Sequence, residues 1–196
     1  MMKYHSYAPT LGLCIDWESS GSDFLGNSAL TYQGLSFGAI IFNTRTFEIV
    51  DELYVEMKFD ETKYQWSNDA QKIHGLTREY LAKHGVDREE ACVMLMEFLL
   101  KHLGPNPKVM VLGFNTSFDI DFTKQLFNDF GVEFTNHHVI LDVAGMSFLC
   151  FGTYKSDHVF EIFGNDKRGA HNPLEDARMT LDVARQYNAI FKDLMA

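Results

Sequence analysis

The sequence predicts an α/β protein whose sheet begins with antiparallel strands and continues with parallel ones. Three β-rich runs, 11–18, 34–43 and 47–57, follow one another, and a turn at 43–45 separates the last two, which is typical of an antiparallel meander. Farther along, a broad apolar stripe at helical spacing over 89–103 precedes a continuous apolar run. A helix, a turn and a short strand covered on both faces form half of a parallel crossover.

The remaining segments fit this alternation of helices and strands. Residues 19–33 are rich in Ser, Gly and Asn and predict a loop. Ser67 or Asn68 and then Thr77 are suitable N-caps for two short helices, and Asp87 with Glu90 forms a capping-box pattern before the long helix.

The second half of the chain predicts two further helices and a short strand before its last helix. These are a helix over 118–130 closed by Gly131, a strand over 138–141 and a helix over 143–152, followed by an irregular segment that reaches residue 170. Asn172 as N-cap and Pro173 at the first helical position open a last helix, which runs to about residue 191.

Length and composition are those of an ordinary globular protein. With 196 residues, 46% of them hydrophobic and 22% charged, we expect one domain over residues 1–196. We expect a cytoplasmic protein with no membrane association, because no apolar run approaches the roughly 18 residues of a membrane span and no secretory signal is evident. Cys14, Cys92 and Cys150 are scattered among apolar residues without metal-ligand spacing, which predicts buried, reduced thiols.

The formal net charge of −10 limits the classes of partner. A broad electrostatic grip on a long nucleic acid needs a basic face, and this composition argues against one. A nucleic-acid enzyme whose bound metal ions meet the phosphates locally is still compatible with the charge.

The first strand ends with two acids that point the same way. In a strand, Asp16 and Glu18 project to one face with Cα atoms about 7 Å apart, while Trp17 projects to the other. Two carboxylates in one small volume repel each other unless a cation lies between them, which favours a divalent metal ion. The alternative is a strand that leaves the core with two exposed acids at its end.

Two more acids follow at element boundaries. Asp119 lies where a buried strand gives way to a helix, and Asp176 lies in the first turn of the last helix, five residues after His171. Each acid alone could equally be a partner of a helix dipole, since helix N-termini favour negative charge. A histidine before an N-cap could likewise be an ordinary surface residue.

Together, these segments resemble the DnaQ-like DEDDh family of 3′-to-5′ exonucleases over nearly the whole chain. Three motifs of that family occur in order: Asp-x-Glu with two hydroxyl residues and Gly, Asn-x-x-Phe-Asp, and His-x4-Asp-Ala with a later Thr. The matching residues are Asp16, Glu18, Ser19, Ser20, Gly21, Asn115, Phe118, Asp119, His171, Asp176, Ala177 and Thr180. Ser19 and Ser20 stand where the family has Thr. The segment 73–77 is similar to the family's Ile-His-Gly-Ile-Thr, and Asp142 stands where the family often has an Asp.

The resemblance implies a fold, a reaction and a cofactor. The fold is ribonuclease H-like, a five-stranded mixed sheet with three antiparallel and two parallel strands, flanked by helices. The implied activity is hydrolysis of phosphodiester bonds at the 3′ ends of single-stranded DNA or RNA, with release of nucleoside 5′-monophosphates. Asp16, Glu18, Asp119 and Asp176 would hold two divalent metal ions, Mg²⁺ or Mn²⁺, and His171 would be the general base.

Other residues receive substrate roles by position and by analogy with the family. Phe24 and Leu25 could wedge against a terminal base, although most aromatic residues are expected in the core. Lys155, Lys167 and Arg168 could contact backbone phosphates near His171, and the alternative is an ordinary solvated loop. The full set of implied substrate contacts is Ser19, Ser20, Gly21, Phe24, Leu25, His74, Asn115, Phe118, Lys167 and Arg168.

The expected partners are single-stranded 3′ ends or short oligonucleotides, and a homodimer and association with a polymerase stay open. About 16 residues follow Thr180, so we expect no long C-terminal tether to a polymerase. The competing hypothesis is a catalytically silent nuclease fold that serves as a nucleic-acid-binding or scaffold module. The presence of all four acids and of His171 argues against that alternative.

Overall fold

A five-stranded sheet lies at the centre of the protein. The computed structural model describes residues 9–23, 26–105, 107–165 and 171–194. The strands are β1 (Leu11–Ser19), β2 (Gly34–Asn43), β3 (Ile49–Glu56), β4 (Val111–Gly113) and β5 (Leu141–Asp142), arranged in the order β3-β2-β1-β4-β5. The pairs β1–β2 and β2–β3 are antiparallel, whereas β1–β4 and β4–β5 are parallel. The predicted mixed sheet of three antiparallel and two parallel strands is confirmed.

Helices cover both faces of this sheet. They are α1 (Ser28–Thr31), α2 (Asn68–His74), α3 (Arg78–His84), α4 (Arg88–Leu103), α5 (Thr116–Asp129), α6 (Val143–Phe151), α7 (Ser156–Ile162) and α8 (Pro173–Leu194). Within the described ranges, none of these helices combines the length and the apolar character that a bilayer span requires.

The alternation of side chains along β1 divides the core in two. Leu13, Ile15 and Trp17 pack with α4 and α5 on one face of the sheet. Cys14 packs on the other face with α6, α7 and α8. Because side chains alternate in a strand, the acids at positions 16 and 18 continue the Cys14 row and project to the α8 side.

Two segments predicted as irregular contain short helices. The loop over 19–33 includes the single turn α1, which the Gln125 side chain of α5 holds by donating to the carbonyls of Ala29 and Tyr32. The segment predicted as irregular up to residue 170 includes α7, which buries Val159 and Phe160. Both helices depend on partners that are distant in sequence, and local composition does not reveal such partners.

Three further predictions were wrong in detail. Asp87 is the N-cap of α4, but its side chain makes no capping hydrogen bond and instead pairs with Lys58 at 3.0 Å. The strand predicted over 138–141 is reduced to Leu141–Asp142, because only these residues pair with β4. Cys150 is exposed rather than buried, since it lies on the outer side of α6, whereas Cys14 and Cys92 are buried as predicted.

Candidate active site

The four predicted acids and His171 come from three parts of the fold and line one cleft of about 890 Å³. Asp16 and Glu18 lie on β1, and Asp119 lies in the first turn of α5. Asp176 lies in the first turn of α8, and His171 shortly precedes that helix. The cleft therefore opens where the end of β1 meets the N-termini of two helices.

A glycine on β2 lets α8 approach this point. Gly38 pairs with Asp16 across the sheet, and a Cβ atom built on it would lie 2.3 Å from the backbone N and Cα of Leu174. Any larger residue would therefore collide with the first turn of α8. The bare backbone at position 38 allows that turn, and with it Asp176, to rest against the sheet beside Asp16.

The start of α8 is fixed by its own cap. The Asn172 side-chain oxygen accepts hydrogen bonds from the backbone N–H groups of Leu174, at 3.1 Å, and Glu175, at 3.2 Å. The predicted N-cap at Asn172 and first helical residue at Pro173 are confirmed.

The start of α5 is held by Asp142, at the end of β5. One Asp142 oxygen accepts from the Thr116 N–H at 3.0 Å, and the other accepts from the N–H groups of Ala144 and Gly145 at the start of α6. Asn115 precedes α5 in the left-handed conformation, with φ of 64°. Asp142 thus connects the N-termini of α5 and α6 and sets the position from which Asp119 projects.

Asp119 is the most deeply buried of the four predicted acids. One carboxylate oxygen accepts from the Trp17 N–H at 3.0 Å, and the other is buried with no hydrogen-bond partner in the part of the chain that the structure describes. Burial raises the pKa of Asp119 well above its usual range, although the Trp17 hydrogen bond acts in the opposite direction.

Glu18, His171 and Asp176 form a tight group. His171 Nδ1 lies 3.6 Å from Glu18 Oε1 and 3.6 Å from Asp176 Oδ2. One ligand atom from each residue lies within 4.8 Å of the other two, a spacing at which they could hold a cation. Asp16 and Asp119 line the cleft outside this group. The carboxylate oxygens and the buried, unpartnered Asp119 oxygen fit hard divalent ions such as Mg²⁺ and Mn²⁺.

The residues that follow the first acids mostly serve the loop itself. The Ser20 hydroxyl donates to the Gln65 carbonyl at 2.6 Å and accepts from the Gln33 N–H at 2.9 Å, and Ser19 donates to the Gly21 carbonyl. His74 is buried, and its Nδ1 accepts from the Leu76 N–H. These contacts fix the backbone at the rim of the cleft.

Two of the other predicted substrate contacts line the cleft. They are Asn115 and Phe118, and the Phe118 ring lies edge-on to Phe122 with centroids 4.7 Å apart. The predictions for Phe24, Leu25, Lys167 and Arg168 lie outside the described residues.

The sequence-based argument missed two residues of this region. Gly38 could have been noticed, since a glycine inside an apolar strand often marks a close backbone approach. Tyr154, which lines the cleft wall, lies in the segment predicted as irregular, where only its aromatic character beside Lys155 was a signal.

Comparison with known proteins assigns this architecture. No protein-family model matches the chain. Over 126 residues the chain is 27% identical to the 3′-5′ DNA exonuclease Cap18 of Escherichia coli, an alignment that covers 59% of this chain and only 64% of Cap18. The nuclease domain of 3′hExo, a DEDDh family member solved with rAMP, superposes with a TM-score of 0.67 at 17% identity, covering 96% of this chain and 94% of that one. The chain therefore has the same fold as this exonuclease domain.

A second solved structure supports the same assignment. The zinc-bound complex of E. coli ExoI with single-stranded DNA has a TM-score of 0.76 at 16% identity, and the match covers 93% of this chain and 41% of ExoI. The resemblance to the DnaQ-like DEDDh exonucleases and the ribonuclease H-like architecture are therefore confirmed. The roles of Asp16, Glu18, Asp119, His171 and Asp176 stay a prediction, which their convergence on one cleft supports.

Proposed function

We propose that the protein is a metal-dependent 3′-to-5′ exonuclease that removes nucleoside 5′-monophosphates from the ends of single strands. The observation that carries the proposal is the convergence of Asp16, Glu18, Asp119, Asp176 and His171 on one cleft, although they are spread over most of the chain. A set of this composition suits phosphodiester hydrolysis, which needs an activated water and stabilised negative charge on phosphorus and the leaving oxygen.

Two divalent cations, Mg²⁺ or Mn²⁺, are the proposed cofactors. Asp16, Glu18, Asp119 and Asp176, which all line the cleft, would hold them. The bound ions supply Lewis acidity, which lowers the pKa of a water molecule and neutralises charge on the transferred phosphate. The Asp119 oxygen that lacks a hydrogen-bond partner would become a ligand of a bound ion, and the repulsion among the four carboxylates would be removed.

His171 is the proposed general base. Its Nδ1 faces the carboxylates of Glu18 and Asp176, which favours the tautomer that carries hydrogen on Nδ1. In that tautomer Nε2 is the basic nitrogen and would accept the proton of the attacking water. The half-buried setting of the ring in the cleft wall leaves it accessible to that water.

The proposed substrates are single-stranded DNA or RNA 3′ ends, including short oligonucleotides. Cap18 is named a DNA exonuclease, the ExoI complex holds single-stranded DNA, and the 3′hExo domain was solved with rAMP. The net charge of −10 favours substrates that need little electrostatic attraction along a long duplex.

End-labelled oligonucleotides test this proposal. The protein is incubated with 5′-labelled single-stranded DNA or RNA in Mg²⁺, in Mn²⁺ or in EDTA, and Asp119→Ala is the matched variant. We expect a ladder that shortens from the 3′ end with either metal and no products in EDTA or with Asp119→Ala. A folded wild-type protein that binds the strands without cleaving them would instead support the silent binding module.

A further inference from the structure

One wall of the cleft carries an aromatic side chain that the proposed chemistry does not use. Tyr154 lies on the connection between α6 and α7, lines the cleft that holds the acids, and is 65% exposed. Lys155 follows it and lines the same cleft. An aromatic ring with this exposure contributes little to the core. Its exposed face in the cleft wall can instead contact a bound ligand.

A second exposed ring lies beside Tyr154 and does not itself line the cleft. Phe148 on α6 is 55% exposed, and its ring centroid lies 6.4 Å from that of Tyr154 with the planes inclined by 51°. The two rings form a short aromatic surface that begins in the cleft and extends over α6. A planar partner can lie against either ring without displacing any part of the core.

The cleft is predominantly acidic, so an aromatic surface that binds nucleobases without relying on charge would strengthen binding of a nucleic-acid strand. Among the cleft-lining residues that the structure describes, Lys155 is the one lysine or arginine, whereas Asp16, Glu18, Asp119, Asp157 and Asp176 are acids. Away from bound metal ions, a phosphate backbone therefore meets little positive charge. Base stacking on aromatic rings provides affinity that does not depend on charge and tolerates any sequence.

We propose that Tyr154 and Phe148 stack nucleobases upstream of the scissile bond, while Lys155 contacts a backbone phosphate. The ligand is a single strand longer than a dinucleotide, since bases in a duplex are already stacked on each other and cannot lie on these rings. This inference rests on the proposed exonuclease function and adds to it a structural reason for a preference for single strands.

Steady-state kinetics with two substrates tests base stacking on Tyr154 separately from the proposed exonuclease activity. For short oligothymidylates, Tyr154→Ala should raise KM about tenfold with kcat within twofold, and Tyr154→Phe should behave as wild type. The p-nitrophenyl ester of thymidine 5′-monophosphate carries no upstream base, so Tyr154→Ala should raise its KM much less than that of the oligothymidylates, and Tyr154→Phe should leave it unchanged. Phe191→Ala, an exposed aromatic of α8 that does not line the cleft, is the matched control and should alter neither substrate.

The outcomes have distinct meanings. If Tyr154→Ala hydrolyses both substrates as wild type does, the stacking surface is wrong and the proposed function stands. If wild-type protein hydrolyses neither substrate, the proposed function is wrong, and binding in EDTA then decides the inference alone. In that assay, 2-aminopurine within a single strand should be quenched by wild type and Tyr154→Phe. Unchanged binding by the double variant Phe148→Ala/Tyr154→Ala would overturn the inference.

Salt dependence provides a second measure of the same surface. A contact to one phosphate gives a slope of about −0.7 in a plot of log affinity against log salt for single strands. With Lys155 as the phosphate contact, we expect a slope near −1 in EDTA and a smaller one for Lys155→Ala. A slope steeper than about −4 would show that charge, rather than stacking, holds the strand.

Discussion

The carboxylate of Asp119 has one oxygen that accepts from Trp17 and another without a partner among the described residues. Because its pKa in the folded state lies above the unfolded value, the folded form binds this proton more tightly than the unfolded chain does. The associated stability is present at low pH and is lost as the pH rises. The same side chain is proposed to bind metal, so it contributes to activity at the expense of stability without metal.

We therefore expect Asp119→Asn to separate stability from activity. In EDTA at pH 8, the variant should melt about 2–4 °C above wild type, roughly the effect of 1 kcal/mol in a protein of this size, with a smaller difference at pH 5. With Mg²⁺ its exonuclease rate should fall about 10³-fold. Scanning calorimetry and the end-labelled assay measure the two effects, and a lower melting temperature in EDTA would contradict the argument.

His171→Ala should lower the exonuclease rate by about 10²–10⁴, because proton transfer from the attacking water loses its acceptor. The remaining activity should lose the acidic limb of the pH–rate profile, since that limb reports protonation of the base. Thermal melting checks that the variant is folded. A loss of less than tenfold would assign the proton transfer to another group.

His74 gives the folded protein a sensitivity to acid. Burial, together with the charge of nearby His171, lowers the pKa of His74 to about 4 from 6.5. The unfolded chain therefore binds this proton more readily, and stability is fully present above about pH 6.5 and is lost as the pH falls towards 4.

His74→Asn, which keeps an acceptor for the Leu76 N–H, tests this effect. Between pH 7 and pH 5, wild type should lose about 2 kcal/mol more unfolding free energy than the variant does, as measured by urea denaturation at each pH. Equal losses in the two proteins would mean that His74 is protonated in the folded state.

At the scale of elements, the site depends on how closely α8 approaches the sheet. Gly38→Ala places a methyl group 2.3 Å from the backbone of Leu174, so the first turn of α8 must move. We expect a loss of about 1–3 kcal/mol in stability and at least a hundredfold loss in rate, since Asp176 moves with the helix.

A matched glycine provides the control for that variant. Gly145 lies in α6 with open space around its Cα, so Gly145→Ala should stabilise the protein by about 0.5–1 kcal/mol through helix propensity and leave the rate unchanged. Denaturation and the end-labelled assay are run on both variants. If Gly38→Ala behaved like Gly145→Ala, the close approach of α8 would have no functional importance.

The first residues of the helices show which N-caps could be predicted from the local sequence. Ser67, Thr77 and Asn172 cap their helices with side-chain hydrogen bonds, as the sequence predicts. Asp87 does not, because Lys58 from another segment attracts its carboxylate. A cap can be predicted when its donor and acceptor are neighbours in the sequence. A competing partner from another segment of the fold cannot be recognised from the local sequence.

At the scale of the whole molecule, the sequence predicted that the four acids converge, but it did not predict the residues that surround them. Asp16, Glu18, Asp119 and Asp176 stand in motifs whose order and spacing identify them in one dimension. The close approach of α8 to Gly38 and the exposed position of the Tyr154 ring depend on which helix covers which face of the sheet. The sequence motifs do not contain that information.

Metal binding should stabilise the whole fold, since the proposed ions would bind the acids as the folded protein arranges them and not the unfolded chain. At Mg²⁺ or Mn²⁺ concentrations a hundredfold above the dissociation constant, we expect about 2.7 kcal/mol, or roughly 5–10 °C in melting temperature. Asp16→Ala should abolish most of this shift. An equal shift in Asp16→Ala and wild type would place the ions elsewhere.

The acids meet only when β1, α5 and α8 are all in place, and these elements span residues 11 to 194. Because Asp176 lies on α8, a folding intermediate in which that helix has not yet docked on the sheet lacks one of the four acids. Contacts between segments so distant in sequence form slowly, so we expect the complete cleft to assemble late in folding.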